Sequence, residues 1–271
     1  MANKQYPIKF DPTYQVVTAN DLIKGRQKMT LREAQLLFIA ISQVLFEDKD
    51  LKTYTTTVPE LAAFMGIDEN SLYRDLESIC TSLLQRVVKI QIGGDNAKEK
   101  KKWEIFQWVN KATYYDGKLT IRLSDDIKPY LVELEEHYAQ PFLGSLMMFR
   151  SYYTIRLYQY LIAVYGQNKK RIEQWNFTCE QLRELFQIGD KQYPRNYDLV
   201  RYTIKPALKE MHETNLAYVS DYEEHRAAKR GRPLVSVSFK LSFCSEIVVK
   251  HSLKSEYEQH KIEKGKKELM T

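Results

Sequence analysis

The sequence predicts an α+β fold in which one structural unit occurs twice. Three features support this prediction: a capping-box signature at Thr57 that recurs 121 residues later at Thr178, an apolar helical stripe after each signature, and a pair of strands after each stripe. The length of 271 residues agrees with two domains, since domains average about 150 residues. Hydrophobic residues make up 44% of the chain and charged residues 28%, which excludes a disordered or collagen-like protein.

The helices of the first unit are predicted from their start and stop signals. Thr30–Glu33 is a capping box, and the helix that it opens has apolar positions as far as Leu45. A second capping box, Thr57–Glu60, opens a short helix that ends at Gly66, a residue suited to a left-handed C-cap. An apolar stripe then predicts a longer helix over residues 71–88. Two helices joined by such a tight turn form a helix-turn-helix motif.

A β-hairpin is predicted directly after this motif. Residues Val88–Ile92 alternate, a lysine-rich tip follows, and Trp103–Val109 form an aromatic return strand. The Asp116–Gly117 turn then adds Leu119–Leu123 as a third strand. A helix-turn-helix followed by a hairpin, the wing, is a winged helix, so we expect Lys98–Lys102 to form the tip of the first wing.

The second unit repeats the helices of the first. Leu182, Leu185 and Ile188 correspond to Leu61, Phe64 and Ile67 at the same offset of 121 residues. Gly189 is expected to take the part of Gly66. The second helix of the motif continues to Met211, and Pro206 predicts that it kinks or restarts there. The fold class is therefore α+β, with tandem duplicated winged-helix domains.

A second hairpin follows these helices. Its strands are predicted over residues 216–222 and 235–243, with a charged tip between them. The residues expected on the core face of the second strand are Val235, Val237, Phe239, Leu241 and Phe243.

The domain limits are placed by the segments between and after the two units. Asp125–His137 is predicted to be helical, and Pro141 marks the boundary. The predicted domains are residues 1–140, residues 141–250 and a charged C-terminal tail over residues 251–271. The tail is expected to be a solvated helix or disordered, with a contact arm as the alternative.

The basic residues of the second unit concentrate on the two surfaces with which a winged helix binds DNA. These are the recognition helix, which enters the major groove, and the wing tip, which reaches phosphates or the minor groove. The predicted DNA-binding residues of the recognition segment are Lys191, Tyr193, Arg195, Asn196, Arg201 and Lys205. Those of the second wing are Lys229, Arg230 and Arg232. Hairpin tips are also charged for solubility alone, an alternative that is weaker where helix and wing are both basic.

The first unit offers a weaker DNA-binding surface. Its predicted contacts are Asn70, Ser71 and Arg74 in the recognition helix and Lys98, Lys100, Lys101 and Lys102 in the wing tip. Lysine favours phosphate contact over base reading. We therefore expect either an auxiliary DNA contact or a dimerisation module. If both domains bind, they would span successive major-groove faces of one site, about one helical turn apart.

Three segments, taken in order, carry a family resemblance. They are Tyr152–Tyr158, Arg201–Ala207 and Lys229–Pro233, the last followed by the strand Phe239–Phe243. In this order and spacing they resemble the iteron-binding replication initiator (Rep) proteins of theta-replicating plasmids, which are built from two winged-helix domains. The resemblance covers about residues 20–243.

The resemblance implies a protein that binds direct repeats (iterons) in double-stranded DNA at a plasmid origin. Such proteins bind the repeats as monomers, mainly through the second domain, and help to open adjacent AT-rich DNA. They recruit the host replication initiator and helicase machinery, and often repress their own gene as homodimers joined through the first domain. The carry-over places base reading on Lys191, Arg195, Asn196 and Arg201, and phosphate contact on Lys229, Arg230 and Arg232.

Two other classes of protein would also act on DNA. A DNA-nicking initiator would need paired histidines for a metal, but the five histidines are scattered, and there is no GxxxxGK[ST] phosphate loop for ATP. We therefore expect no catalytic residues, no metal and no other cofactor. A winged-helix transcriptional regulator without a replication role stays open, because it would use the same DNA-binding surface.

Charge, cysteines and hydropathy indicate the compartment. The net charge of +6 permits a polyanionic partner without identifying one. Cys80, Cys179 and Cys244 form no CxxC pair, so neither a disulfide framework nor a zinc site is expected. The sequence shows no secretory signal and no membrane span, and we expect a protein of the bacterial cytoplasm without a membrane partner.

Overall fold

The elements of the first unit alternate between short helices and strands. The computed structural model describes residues 4–45, 47–92, 102–168, 172–189, 191–228 and 230–255. The elements of the first unit are β1 (Gln5–Pro7), β2 (Thr18–Ala19), α1 (Asn20–Lys24), β3 (Arg26–Gln27), α2 (Leu31–Ile41), β4 (Thr53–Thr57), α3 (Val58–Met65), α4 (Glu69–Leu84), β5 (Val87–Ile92), β6 (Lys102–Gln107), β7 (Val109–Tyr115) and β8 (Lys118–Leu123).

The second half of the chain continues from a connecting segment into another helix-and-strand unit. A 3-10 helix over Asp125–Tyr130 leads into it. The remaining elements are β9 (Tyr138–Ala139), α5 (Leu143–Met148), α6 (Tyr152–Gln167), β10 (Gln174–Thr178), α7 (Cys179–Phe186), α8 (Asn196–Tyr202), α9 (Ile204–Glu213), β11 (Ala217–Arg226), β12 (Leu234–Phe243) and a helix over residues 246–255.

The two units share one sheet topology. In the first unit β4 pairs with β8 and β8 with β7, all antiparallel. In the second unit β10 pairs with β12 and β12 with β11 in the same way. Each sheet therefore joins the strand before the helix-turn-helix to the hairpin after it. This confirms the predicted tandem winged helices.

All three predicted capping boxes are present. The side chains of Thr30, Thr57 and Thr178 each accept a hydrogen bond from a backbone amide three residues later. In each case the side-chain oxygen at that third position accepts a hydrogen bond from the backbone amide of the cap residue. These signals depend only on residues within one turn, which is why the sequence was sufficient to predict them.

The left-handed C-cap of the second unit is not the predicted glycine. Gly66 ends α3 with a φ of +63°, as expected. The matching position after α7 is Gln187, with a φ of +51°, so the prediction for Gly189 is wrong. Because α3 and α7 both contain eight residues, the distance from the capping box sets the position of the C-cap.

Two helices end earlier than their apolar patterns predicted. The helix α2 ends at Ile41, and Leu45 lies beyond it and is exposed. The helix α4 ends at Leu84, and Val88 belongs to β5, where it is buried. A buried apolar residue such as Val88 fits the 3.6-residue repeat of a helix and the two-residue repeat of a strand. The end of a helix therefore cannot be placed from hydrophobicity alone.

The recognition segment of the second unit restarts as predicted. The helix α8 stops at Thr203, whose φ of −120° and ψ of −75° break the helical path. The helix α9 begins at Ile204, so Pro206 lies in its first turn, where a missing amide donor is tolerated.

The first wing differs from the prediction. The aromatic stretch divides at the buried Trp108, with β6 before it and β7 after it. β6 pairs with β5 in a separate sheet with β3, whereas β7 pairs with β8. Trp108 and Val109 are adjacent and both buried, which marks the passage of the chain from one sheet to the other. The wing is therefore β7–β8, with its tip at Tyr115–Lys118, and β5–β6 is an inserted hairpin.

The segment predicted as a helix over Asp125–His137 is mostly irregular. Only a 3-10 helix forms at its start, and it contains Pro129. Glu133 and His137 have φ values of +55° and +58°, which interrupt any helix. The chain then returns through β9 to pair with β2.

The strand β12 also departs from the predicted alternation. Val237, Phe239 and Leu241 face the core, but Val235 is exposed and Leu234 is buried in its place. A register shift between His225 and Arg226 on the partner strand moves the end of the hairpin by one residue.

The beginning of the C-terminal tail packs on the rest of the protein. Val249 and Leu253 are buried within the helix over residues 246–255. A Cβ on Gly144 would lie 2.8 Å from Pro12 Cβ and 2.9 Å from Leu253 Cδ2, so this glycine permits a close approach. A fully solvated tail is therefore wrong for this part. The rest of the tail, residues 256–271, lies outside the described residues.

Candidate nucleic-acid interface

The loop before the second recognition helix is shaped by Arg183 of α7. Its guanidinium donates hydrogen bonds to the carbonyl oxygens of Gln192 at 3.2 Å and Tyr193 at 2.6 Å. The Gln192 side chain in turn donates to the Tyr153 hydroxyl of α6 at 3.0 Å. These bonds hold the loop against the helices behind it. The sequence interpretation missed Arg183, whose spacing carries no signal for contacts nine and ten residues away.

Asn196 links the recognition helix to the wing. Its Nδ2 donates to the carbonyl oxygen of Leu234 at 2.8 Å, and its Oδ1 accepts from Arg183 Nη2 at 3.4 Å. In the free protein the half-buried amide therefore serves the fold. Base reading by Asn196 stays a prediction, and it requires these bonds to open.

Arg195 and Arg201 lie exposed at the two ends of α8, in different environments. Arg195 Nε lies 2.6 Å from Asp198 Oδ2, and this hydrogen bond raises the pKa of the guanidinium. The guanidinium of Arg201 lies 5.3 Å from the centre of the Tyr202 ring. Among the described residues no carboxylate lies within ion-pairing distance of Arg201, so its donors are available to a ligand.

Two stacked tyrosine rings support the C-terminal end of α8. The Tyr193 and Tyr202 rings stack with centres 5.5 Å apart and planes inclined by 24°. Tyr202 is half-exposed beside Arg201. The predicted DNA-binding residue Tyr193 is therefore a support for the segment that carries Arg201. Lys191 lies exposed in the loop before the helix.

Lys205 is partly neutralised by the wing. Its Nζ lies 2.5 Å from Glu224 Oε1 on β11 and faces the Tyr222 ring at 5.4 Å. The hydrogen bond from Lys205 lowers the pKa of the Glu224 carboxyl. Arg226 pairs with the same carboxylate at 3.4 Å. Glu224 thus holds two cations between the recognition helix and the wing.

The tip of the second wing carries exposed arginines. Arg230 and Arg232 flank Gly231, whose φ of +83° makes the turn. The Arg232 carbonyl oxygen accepts a bond from Arg226 at 3.3 Å. The predicted phosphate contact Lys229 lies outside the described residues. The turn therefore carries two exposed guanidinium groups, a chemistry suited to phosphate contact.

The first recognition helix is less basic. Asn70 is exposed at the first turn of α4, and Ser71 donates its backbone amide to the N-cap Asp68 at 2.8 Å. Arg74 is exposed but pairs with Asp75 at 2.8 Å. The structure therefore places the three predicted residues on the open side of the helix with little net positive charge.

The true first wing was missed by the sequence interpretation. Tyr115 and Lys118 at its tip, and Tyr114 next to the tip, are exposed. The hydroxyl of Tyr73 on α4 lies 3.7 Å from the Cβ position of Gly117, so the wing tip touches the recognition helix. Only the pairing of β8 with β4, far apart in sequence, identifies this hairpin as the wing.

Of the lysines predicted for the tip of the first wing, the structure describes Lys102. Lys98, Lys100 and Lys101 lie outside the described residues. Lys102 lies at the start of β6 and pairs with Glu104 at 2.9 Å. Its assignment to the winged-helix tip is wrong, and phosphate contact by the other three stays a prediction.

The described ranges offer no further chemical centre. In this part of the chain no cluster of three or more His, Cys, Asp or Glu side chains is placed to hold a metal ion. Cys80, Cys179 and Cys244 are free, and burial raises the pKa of the Cys80 thiol to about 11. None of the helices in these ranges is long and apolar enough to cross a membrane.

Comparison with known proteins agrees with this architecture. A replication initiation protein of Escherichia coli is 26% identical over 231 residues, which cover 83% of this chain and 69% of that protein. The crystal structure of the Pi initiator protein in complex with iteron DNA superimposes with a TM-score of 0.64 and 18% identity, over 87% of this chain and 100% of that one. Residues 15–162 match the family model "Initiator Replication protein, WH1" and residues 178–241 match "Initiator Rep protein, WH2". The chain therefore belongs to the initiator replication protein family, with both winged-helix modules of that family in order.

Proposed function

We propose that this protein initiates plasmid replication by binding iterons in double-stranded DNA at the origin. Membership of the replication initiator family supports the replication role. The observation that carries the proposal is the second unit, where Arg201 on the recognition helix and Arg230 and Arg232 on the wing are exposed on the two surfaces that winged helices apply to DNA. The related Pi initiator was crystallised with iteron DNA.

The two domains have different roles in DNA binding. Residues 141–250 make the main sequence-specific contact, and residues 1–140 provide dimerisation and an auxiliary DNA contact. The ion pair of Arg74 with Asp75 supports a weaker role for the first recognition helix. The protein acts by binding and without catalysis, helps to open the origin, and recruits the host initiator and helicase.

The oligomeric state follows the ligand. Without DNA the protein forms a homodimer that represses its own promoter, and on each repeat it binds as a monomer. Sedimentation of free and repeat-bound protein checks this: a dimer without DNA and one chain per repeat with DNA are expected. A protein that sediments only as a monomer at high concentration contradicts the switch.

The function is tested by binding to tandem repeats from the protein's own replicon. Random duplex and promoter DNA serve as comparisons, all at one salt concentration, because protein–DNA affinity falls steeply with salt. A ladder of complexes, one step per repeat, is expected. Binding only to a single palindrome in the promoter would instead identify a transcriptional regulator.

A further inference from the structure

Arg156 is a buried arginine of α6, the helix that packs both on α1 and on α9. It is 1% exposed, and among the described residues no carboxylate lies within ion-pairing distance of it. Its Nη1 donates to the carbonyl oxygen of Ile23 at 2.8 Å, and its Nη2 donates to that of Gly25 at 3.2 Å. The cation is therefore held by two backbone carbonyls of a segment that lies more than 130 residues earlier in the chain. An arginine keeps its charge in such a site, so moving it away from these acceptors is costly.

The carbonyls belong to a closely packed part of the first unit. We call residues 20–27 the α1 corner, since they contain α1 and β3. The β3 strand pairs with β5, where Gln27 lies opposite Val88. A Cβ on Gly25 would lie 2.7 Å from Val88 Cγ2, so this glycine lets the corner press against the sheet. Gln27 also donates its side-chain amide to the Leu22 carbonyl oxygen at 3.1 Å.

The same helix contacts the recognition loop of the second domain. Tyr153 accepts a hydrogen bond from Gln192 and packs its ring against Phe186, with ring centres 5.1 Å apart. Arg183 then holds the carbonyls of this loop. A displacement of α6 is therefore transmitted to the segment that leads into α8.

Tyr152, in the first turn of α6, is electrostatically coupled to a buried ion pair behind the first recognition helix. Arg86, just after α4, forms two hydrogen bonds with the buried Glu33 at 2.8 and 2.9 Å. The Tyr152 hydroxyl is buried within the field of Arg156, Glu33 and Arg86, and burial raises its pKa to about 12. Helix α6 is thus bonded to the recognition loop of the second unit, and its Tyr152 hydroxyl is electrostatically coupled to the Arg86–Glu33 pair of the first.

We propose that Arg156 is a positioning residue that sets the register between the two DNA-binding surfaces. The inference rests on the proposed binding of one repeat by both domains. Two binding modules on a rigid junction have a high effective concentration at one spacing and a low one at others. A flexible junction lowers the effective concentration at the best spacing and lets the protein bind over a broader range of spacings. Arg156 therefore contributes to the spacing specificity of the protein without touching DNA.

The test is a spacing profile measured with the full chain. Repeat DNA is prepared with zero to six base pairs inserted at its centre, where about five base pairs correspond to half a helical turn. The proteins compared are the wild type, Arg156→Met, Arg156→Lys and Glu184→Gln. The last variant is a matched control, because it removes the exposed ion pair between Glu184 and Arg26 at the same junction. Circular dichroism and binding to random duplex verify folding.

The wild type and the control are expected to lose at least about tenfold in affinity at an insertion of half a turn. Arg156→Met is expected to lose about tenfold at the native spacing and to vary less than about threefold across the series. Arg156→Lys has a single ammonium in place of the planar guanidinium with its two donating nitrogens. Its spacing profile is expected to lie between those of the wild type and Arg156→Met. This pattern would support a positioning role.

Three results would overturn the inference. The first is an Arg156→Met profile that falls uniformly but keeps its shape, which indicates a loss of stability only. The second is a control profile as broad as that of Arg156→Met. The third is failure of both Arg156 variants to fold, since the residue would then serve the fold. If the wild type itself does not prefer repeats to random duplex, the proposed function fails instead.

Discussion

Lys205 and Glu224 form an ion pair of 2.5 Å that joins the second recognition segment to its wing. The lysine comes from α9 and the glutamate from β11, and the ring of Tyr222 lies beside the ammonium. Arg226 binds the same carboxylate. The wing is thereby held against the helix before DNA arrives, while two cations of the basic face are partly neutralised. DNA phosphates must compete with Glu224 for them.

Removing this competition is expected to strengthen non-specific binding. Glu224→Gln should raise the affinity for random duplex, because Lys205 becomes available to a phosphate. The salt slope, which is the fall of the logarithm of the affinity with the logarithm of the salt concentration, should become steeper by about one unit. Glu223→Gln, at the exposed neighbouring position, is the control for loss of one negative charge. Titrations over a range of salt concentrations measure both quantities. Equal changes in the two variants would show that the ion pair itself has no effect.

Arg201 is expected to read sequence. Arg201→Ala should weaken binding to the repeat by about 1–3 kcal/mol and relax base preference, with a smaller loss on random duplex. Arg195→Ala should act in the same direction by less, because the bond of Arg195 with Asp198 must first be broken. Competition binding with single-base variants of the repeat measures the preference. Equal losses on specific and random DNA would contradict base reading.

The reassignment of the first wing predicts different effects on DNA binding for two lysines. Lys118→Ala should lower the salt slope of repeat binding by about one unit, because Lys118 lies at the β7–β8 tip. Lys102→Ala should leave binding unchanged, since Lys102 lies on the inserted hairpin and pairs with Glu104. The reverse result would show that Lys102, and not the β7–β8 tip, contacts DNA. Lys100→Ala is still expected to weaken binding to all DNA alike.

The two left-handed C-caps should respond in opposite directions to substitution. Gly66→Ala should lower the free energy of unfolding by about 1 kcal/mol, because its φ of +63° is unfavourable for a residue with a Cβ. Gln187→Gly should raise it by about 0.5–1 kcal/mol, since it relieves the same cost in the second domain. Urea denaturation measures both. A destabilised Gln187→Gly variant would show that the side chain of Gln187 contributes more than its backbone costs.

The Glu33 carboxylate is expected to make the free energy of unfolding depend on pH. Burial alone would raise the pKa of this carboxyl, but hydrogen bonds from Arg86, Ser82 and the Thr30 amide hold the pKa below its ordinary value of 4.5. The stabilisation is therefore complete above that value and is lost as the pH falls through the folded-state pKa. Glu33→Gln should lower the free energy of unfolding at pH 7 by about 1.5–3 kcal/mol.

The acid limb of the stability curve gives a second measurement for Glu33. Unfolding of the wild type and of Glu33→Gln is followed from pH 7 to pH 3. The difference between the two should shrink towards low pH, because the wild-type carboxyl becomes protonated as well. A difference that stays constant over this range would exclude the Glu33 carboxylate as its source.

Local signals in the sequence were sufficient for the repeated architecture. The capping boxes at Thr57 and Thr178, the C-cap at Gly66 and the helix restart near Pro206 depend on groups within one or two turns. They therefore identified the tandem winged helices and placed the second recognition segment and wing correctly. The exposed position of Arg201 followed from the same helical pattern.

Long-range pairing decided what these signals left open. Two hairpins follow α4, and only the pairing of β8 with β4 shows which is the wing. Tertiary contacts also engage the amide of Asn196 with the Leu234 carbonyl and hold Arg156 against the α1 corner. The sequence by itself determined the fold class, the duplication and the basic face, because each is encoded in neighbouring residues. Only the tertiary structure decided which cations are free and how the two domains are joined, because those properties depend on residues that are far apart in the chain.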